Sequence, residues 1–229
     1  PASSVLESVL DFRVIWENLR RVHMLLFHYH FWTPHLEETE KFYVENGFRT
    51  SLRTGKYQGE YQTFNPPLEW DDFRNKPITF RIIEVRRGAM NITFGFGKKV
   101  MFDHIGFLVT KKELDKICHN ARSMNWPVNT NDRRTFIGTP YGFRIELQSN
   151  ADSIDGTRSS EKMEGLELIL KKEGFERDLS KLLNSPVHFI RSKIGETPTI
   201  SKAVMSGILI SNQKDPNGVN VIGKVGETN

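Results

Sequence analysis

The clearest hydrophobic pattern in this chain is one amphipathic helix framed by two strands, within residues 101–147. Thr110 and Glu113 form a Thr-x-x-Glu capping box, and apolar residues recur behind it at helical spacing. The preceding segment alternates as a half-buried strand does, and it carries His104. A Thr-Pro-Tyr-Gly turn then precedes a strand that carries Glu146. The pattern predicts a β-α-β-β-β unit with a histidine on its first strand and a glutamate on its last.

The same order of elements is predicted earlier in the chain. Residues 22–32 form an apolar strand in which His28 and His30 lie two positions apart and therefore face the same side. A helix follows over 35–46. Glu84 lies on the strand that the pattern indicates to be the last of this first unit. Further strands are predicted at 48–54, around 61–64 and at 78–86, with a short strand or connector at 92–97.

The two units indicate an internal duplication. Thr33 lies five residues after His28, and Val109 lies five residues after His104, so the two histidines hold matching positions before the helices. The fold class is therefore predicted to be α+β, with two βαβββ modules joined in one chain.

Two further segments flank the duplicated units. The pattern of residues 1–21 predicts an amphipathic helix that begins with a second capping box. This helix either packs on the sheet or supports a homodimer. The C-terminal extension mixes predicted strands with one helix, and it is either a partial third module or a cover over the first two. The predicted boundaries are 1–21, 22–100, 101–150 and 151–229.

Composition narrows the class of function. Hydrophobic content of 38% and aromatic content of 11% fit a folded soluble protein. The net charge of +4 is small and basic residues are interspersed with acidic ones, so no nucleic-acid partner is expected. The single cysteine, Cys118, excludes an internal disulfide framework. Because the chain lacks an apolar run of roughly 18 residues and a signal-peptide pattern, we expect a cytoplasmic protein without a membrane partner.

Two sequence motifs carry a family resemblance. The run Asp-His-Ile-Gly-Phe-Leu-Val at 103–109 and the run Thr-Pro-Tyr-Gly-Phe-Arg-Ile-Glu-Leu at 139–147 resemble the two ends of a module of the vicinal oxygen chelate superfamily. That superfamily includes glyoxalase I, extradiol dioxygenases, fosfomycin-resistance proteins and methylmalonyl-CoA epimerase. The segment 41–48 resembles the end of the helix in its first module. The resemblance covers residues 22–150.

The resemblance implies curved sheets that form a cup around a divalent metal, with ligands at matching positions of the two modules. His104 and Glu146 correspond to the ligands of the second module. His28 corresponds to the histidine of the first module by the count to the helix, and His30 is an alternative in the same register. Glu84 corresponds to the glutamate of the first module.

The chemistry of these residue types agrees with the resemblance. Two imidazoles and one or two carboxylates suit Fe²⁺, Mn²⁺, Ni²⁺, Co²⁺ or Zn²⁺. If Glu84 faces the metal, a site with two carboxylates favours a lyase or isomerase, in which one carboxylate acts as a general base. If Glu84 is turned away, three ligands with open positions favour Fe²⁺ or Mn²⁺ and dioxygenase or transferase chemistry.

Two functions are compatible with this sequence. One is a metal-dependent enzyme of the glyoxalase or dioxygenase type, acting on a small oxygenated substrate that chelates the metal. The other is a non-catalytic small-molecule binding protein, as in bleomycin resistance. The presence of His28, His104 and Glu146 favours the enzyme, because a binding protein of this fold is expected to lack them. Aromatic residues that suit the wall of either kind of pocket are Trp32, Phe64, Trp70 and Phe136.

Overall fold

The computed structural model describes residues 24–208 and 212–224, which form an α+β fold. The N-terminal helix expected at 1–21 lies outside the described residues. The first module consists of β1 (Leu25–Thr33), α1 (Leu36–Glu45), β2 (Arg49–Tyr57), β3 (Glu60–Thr63), β4 (Thr79–Arg87) and β5 (Met90–Phe96). A short 3-10 turn at Trp70–Phe73 lies in the loop between β3 and β4.

The second module follows the predicted pattern closely. It consists of β6 (Met101–Leu108), α2 (Lys111–Ser123), β7 (Val128–Thr130), β8 (Thr135–Gly138) and β9 (Arg144–Gln148). The capping box is confirmed, because the Glu113 backbone N–H donates to the Thr110 hydroxyl at 3.3 Å and the Thr110 N–H donates to the Glu113 carboxylate at 2.7 Å.

One nine-stranded curved sheet unites the two modules, in the order β3-β2-β4-β5-β1-β6-β9-β8-β7. Its central pair, β1 and β6, is antiparallel. Each of these first strands also has a parallel neighbour, β5 beside β1 and β9 beside β6. The two predicted βαβββ modules are therefore confirmed, and β3 is an additional hairpin strand at the edge of the first one.

The last strand of the first module is β5, so the prediction that placed Glu84 on that strand was wrong. Glu84 lies on β4, one strand further from β1. Residues 92–97 were predicted only as a short strand or connector because Gly88, Gly95 and Gly97 weaken the strand signal, although Met90–Phe96 alternates apolar with polar or glycine residues.

Strand β1 presents different chemistry on its two faces. Tyr29 points toward α1, where its hydroxyl donates to the hydroxyl of Tyr43 at 2.6 Å. Tyr43 in turn donates to the carboxylate of Asp215 at 3.0 Å, and Asp215 belongs to the C-terminal part of the chain. His28 and His30 lie on the opposite face, as the alternation predicted, and both are buried.

The C-terminal extension forms a second sheet of five strands. Its elements are β10 (Lys162–Leu170), α3 (Phe175–Leu183), β11 (Ile190–Ile194), β12 (Thr199–Ser206), β13 (Gln213–Lys214) and β14 (Asn220–Lys224). β10 and β12 are antiparallel, and each has a parallel neighbour, β11 and β14 respectively. The order β11-β10-β12-β14 therefore repeats the strand directions of β5-β1-β6-β9 at the centre of the larger sheet. None of the helices within the described ranges is long and apolar enough to cross a bilayer.

Candidate metal centre

Three buried side chains meet at the centre of the nine-stranded sheet. The Nε2 atom of His104 lies 3.0 Å from Nε2 of His28 and 3.0 Å from Oε2 of Glu146. His28 Nε2 and Glu146 Oε2 are 3.8 Å apart. The three residues are 4%, 4% and 2% exposed. The residues predicted as metal ligands from three separate strands are therefore brought together by the fold.

The register of the strands explains why these side chains meet. Across the antiparallel pair, His28 lies opposite Gly106, and across the parallel pair Gly106 lies opposite Glu146. His28 and Glu146 thus flank a residue that has no side chain. A Cβ atom at Gly106 would come within 2.7 Å of the His28 Cβ. Glycine at this position is what lets the side chains of β1 and β9 converge above β6.

The hydrogen bonds of the two imidazoles fix where their protons are. His28 Nδ1 donates to the backbone carbonyl of Asn91 at 2.8 Å, and a carbonyl can only accept. His104 Nδ1 donates to the carboxylate of Asp103 at 2.6 Å. When neutral, each ring therefore presents an unprotonated Nε2 to the centre of the cluster. Burial lowers the pKa of His28 to about 4, so this imidazole is neutral near pH 7.

The convergent atoms fit a divalent cation. Glu146 Oε2 has no hydrogen-bond partner within the described ranges, since His104 Nε2 is at ion-pair distance but not aligned for a hydrogen bond. Two nitrogen lone pairs and a carboxylate oxygen that face one another in a buried place repel unless a positive charge lies between them. A divalent metal would supply that charge, and two imidazoles with one carboxylate suit a borderline metal.

Without a metal, a proton can take over part of this role. Burial disfavours the imidazolium form of His104, but the carboxylates of Asp103 and Glu146 raise its pKa above the usual value. Burial likewise opposes ionisation of Glu146, yet His104 and the neighbouring charges lower its pKa to about 2. Glu146 is therefore a carboxylate at neutral pH, and His104 is the group on which a proton and a metal would compete.

His30 lies beside the cluster but is not one of its three members. Its Nδ1 is 2.7 Å from the hydroxyl of Thr93, and its ring stacks on that of His104 with centroids 5.0 Å apart and planes at 4°. The Nε2 atom of His30 has no partner among residues 24–208 and 212–224. Of the two histidines that the sequence left open, His28 is the one whose Nε2 points to His104 and Glu146.

Glu84 is separated from the cluster by Asn91, and both oxygens of its carboxylate accept hydrogen bonds. It accepts hydrogen bonds from Ser51 Oγ at 2.5 Å, Arg86 Nε at 2.7 Å and Asn91 Nδ2 at 2.7 Å. Burial opposes ionisation, but the hydrogen bonds from Arg86 and Ser51 lower the pKa of Glu84. Asn91 links Glu84 to the cluster, because its backbone carbonyl holds His28.

The first-module position that matches Glu146 is occupied by Thr93. Glu146 pairs with the residue two places after His104, and Thr93 pairs with the residue two places after His28. Threonine is a much weaker metal ligand than a carboxylate, so the matching position supplies no second acidic ligand. The described part of the chain offers a group of two histidines and one carboxylate at this place.

Aromatic and basic side chains surround the cluster. Phe136 contacts the ring of His104 edge-on at 5.1 Å, and Trp32 contacts His30 edge-on at 4.6 Å. Arg144 lies over the ring of Phe136, and Arg81 lies over that of Trp32, both at 4.3 Å. The other two aromatic candidates, Phe64 and Trp70, pack against the rings of Phe73 and Phe80 instead.

Sequence reasoning missed three residues that support the cluster. Asn91 and Asp103 hold the two imidazoles, and Arg144 binds the carboxylate of Asp103. Asp103 directly precedes His104, so its position in the motif was visible, although the direction of its side chain was not. Asn91 and Arg144 reach the histidines only through strand pairing.

The chain resembles known proteins in structure but not in sequence. No protein-family model and no curated protein sequence matches the chain. Homoprotocatechuate 2,3-dioxygenase from Arthrobacter globiformis is similar in structure with a TM-score of 0.55 and 11% identity, over 87% of this chain and 79% of that one. The 2,3-dioxygenase LapB from Pseudomonas sp. KL28 gives a TM-score of 0.54 and 13% identity, over 88% and 92%.

A third similar structure is 2,2',3-trihydroxybiphenyl 1,2-dioxygenase from Sphingomonas wittichii, with a TM-score of 0.55 and 12% identity, over 82% of this chain and 74% of that one. The chain therefore has the vicinal oxygen chelate fold, which the sequence motifs had indicated.

Proposed function

We propose that this protein is a metal-dependent dioxygenase, with one Fe²⁺ or Mn²⁺ held by His28, His104 and Glu146. The observation that carries the proposal is the convergence, in a buried place, of two imidazole Nε2 atoms and one carboxylate oxygen that has no hydrogen-bond partner among residues 24–208 and 212–224. The substrate would be a small molecule with two neighbouring oxygen atoms that chelate the metal.

The number of ligands favours oxygenase chemistry over a lyase or isomerase reaction. Two histidines and one carboxylate on one side of a metal, with open positions on the other, are the arrangement of non-haem iron(II) oxygenases. A lyase or isomerase of this fold would be expected to use a second carboxylate. Thr93 occupies the matching position, and Glu84 is engaged by three hydrogen-bond donors.

The surroundings of the cluster support an aromatic substrate. Phe136 and Trp32 lie against the histidines, so a planar ring bound at the open positions would meet aromatic walls. Two of the similar structures have names that specify aromatic compounds, homoprotocatechuate and trihydroxybiphenyl. A bound divalent metal would polarise the two oxygens of a catechol-type substrate.

The remaining residues would orient the ligands and not transfer protons. Asn91 and Asp103 keep the Nδ1 protons of the two histidines in place, which leaves each Nε2 free for the metal. Glu84 would act through Asn91, since it accepts a hydrogen bond from the Asn91 side chain while the Asn91 carbonyl holds His28.

The proposal is tested by metal content and oxygen uptake together. Protein purified without a tag and loaded anaerobically with Fe²⁺ or Mn²⁺ is expected to bind about one ion per chain. It should then consume O₂ with at least one member of a panel of substituted catechols. His104→Ala and Glu146→Ala should lose both properties, whereas His119→Ala, which removes an exposed histidine on α2, should keep them.

Two outcomes would contradict the proposal. Unchanged metal content in His104→Ala and Glu146→Ala would show that the metal lies elsewhere. Tight binding of a small ligand by the metal-free protein, without O₂ uptake in the metal-loaded form, would favour the non-catalytic binding protein.

A further inference from the structure

The two candidate histidine ligands are held by acceptors of different charge. His28 donates its Nδ1 proton to a neutral backbone carbonyl, that of Asn91, at 2.8 Å. His104 donates its Nδ1 proton to a carboxylate, that of Asp103, at 2.6 Å. A hydrogen bond to an anion is shorter and stronger than one to a neutral acceptor, and it makes the opposite ring nitrogen a better electron donor. The two imidazoles are thus unequal donors.

Arg144 shares the same carboxylate oxygen of Asp103. Its Nη2 donates to Oδ2 of Asp103, the atom that also accepts the proton of His104. The strand register places Arg144 directly opposite His104 across β6 and β9. Phe136 supports this placement, since the guanidinium lies over one face of its ring while the ring touches His104. Arg144 is therefore positioned to withdraw charge from the acceptor of His104.

We propose that Asp103 and Arg144 are a pair of positioning residues with opposite effects, which together set the donor strength of His104 toward a bound metal. Asp103 increases the donor strength by its negative charge. Arg144 decreases it, because its guanidinium shares the oxygen that would otherwise serve His104 alone. This inference rests on the proposed function, because it requires that His104 is a metal ligand.

The opposite signs make the inference testable. Asp103→Asn keeps an oxygen acceptor but removes the charge, so we expect a higher ferric/ferrous midpoint potential and a 10- to 100-fold weaker affinity for Fe²⁺. Arg144→Met keeps a long, flexible side chain but removes the guanidinium and with it the contact to the ring of Phe136. We expect a lower midpoint potential and an affinity for Fe²⁺ within about threefold of the unmodified protein or tighter.

Arg81→Met is a matched control. Arg81 also lies 4.3 Å over an aromatic ring near the cluster, that of Trp32, but among the described residues it makes no ion pair with Asp103. Its removal reports the effect of losing one positive charge near the metal. We expect Arg81→Met to shift the midpoint potential less than Arg144→Met does. Arg144→Lys restores a positive charge at position 144, so its midpoint potential should lie close to that of the unmodified protein.

The midpoint potential is measured by spectroelectrochemical titration of the iron-loaded protein, and the affinity by anaerobic competition with a chelator for Fe²⁺ and for redox-inactive Zn²⁺. Shifts in opposite directions for Asp103→Asn and Arg144→Met support the inference. Shifts in the same direction, or an equal shift in Arg81→Met, would overturn it and leave the proposed function intact. If Arg144→Met does not fold, Arg144→Gln replaces it. An unmodified protein that takes up no metal would overturn both.

Discussion

The Nε2 atoms of His28 and His104 lie 3.0 Å apart, although the other nitrogen of each ring already carries the proton. Neutral imidazoles that meet in this way have no hydrogen to share. The contact is relieved either by a proton on His104, whose pKa is raised, or by a divalent cation that both rings would hold together with Glu146, whose Oε2 lies 3.0 Å from His104 Nε2.

The first prediction separates the two neighbouring histidines of β1. His28→Ala should lower the affinity for Fe²⁺ by at least 100-fold, because it removes one of three ligands. His30→Ala should keep about one ion per chain, because its imidazole stacks on His104 and bonds Thr93 instead. Elemental analysis after dialysis against buffer with a weak chelator measures both. The reverse result would make His30 the ligand.

The second prediction concerns pH. His104 has a raised pKa, so below that pKa a proton occupies its Nε2 and must leave when the metal binds. The apparent affinity for the metal should therefore fall about tenfold for each pH unit below the pKa of His104 and be constant above it. His28, with a pKa near 4, and Glu146, with a pKa near 2, are already deprotonated over pH 5–9 and should add no pH dependence.

Chelator competition at several values between pH 5 and pH 9 gives the number of protons released for each metal bound. A release of two protons below the pKa of His104 would show that His28 is protonated as well. A flat profile would show that His104 carries no proton in the metal-free protein.

The third prediction concerns the space at Gly106. In Gly106→Ala the new methyl group would lie 2.7 Å from the Cβ of His28 and 3.1 Å from the ring of Phe27. We expect a loss of about 1–3 kcal/mol in the free energy of unfolding, together with weaker metal binding, because β1 and β6 must separate. Gly156→Ala is the control, since nothing lies within 4 Å of the added atom. Thermal unfolding with and without Fe²⁺ measures both effects.

The fourth prediction assigns Glu84. Glu84→Gln should keep the metal, because the carboxylate is bonded to Ser51, Arg86 and Asn91 and not to the cluster. The change should cost about 1–3 kcal/mol of stability, since Arg86 loses a charged acceptor in a buried place. A moderate decrease in turnover is expected through the shift of Asn91. Loss of the metal would instead indicate a fourth ligand, and loss of turnover with the metal retained would indicate a general base.

The sequence predicted the second module better than the first, and the reason is physical. The strand before α2 and the turn before β9 carry local signals, namely the capping box and the Pro-Tyr-Gly turn, so His104 and Glu146 could be placed on their strands. In the first module Gly88, Gly95 and Gly97 weaken the strand signal of β5, so the strand that carries Glu84 was predicted to be the last of the unit.

The residues that orient the ligands could not be predicted from local patterns. Asn91 reaches His28 across two parallel strands, and Arg144 reaches Asp103 across another pair. Their roles depend on register, which is set by the packing of the whole sheet. His28 and His30 could not be separated for the same reason, since alternation places both on one face and only the partner strand distinguishes them.

The hydrogen-bond chain from Tyr29 through Tyr43 to Asp215 has a consequence for the order in which this protein is made. Tyr29 stands between His28 and His30 on β1, and its bonding chain ends at a residue that the ribosome adds after both modules are complete. During synthesis the two modules can pair their strands while the hydroxyl of Tyr43 still lacks its final acceptor. The face of β1 opposite His28 and His30 therefore acquires the last acceptor of its hydrogen-bond chain only when the C-terminal hairpin has been made.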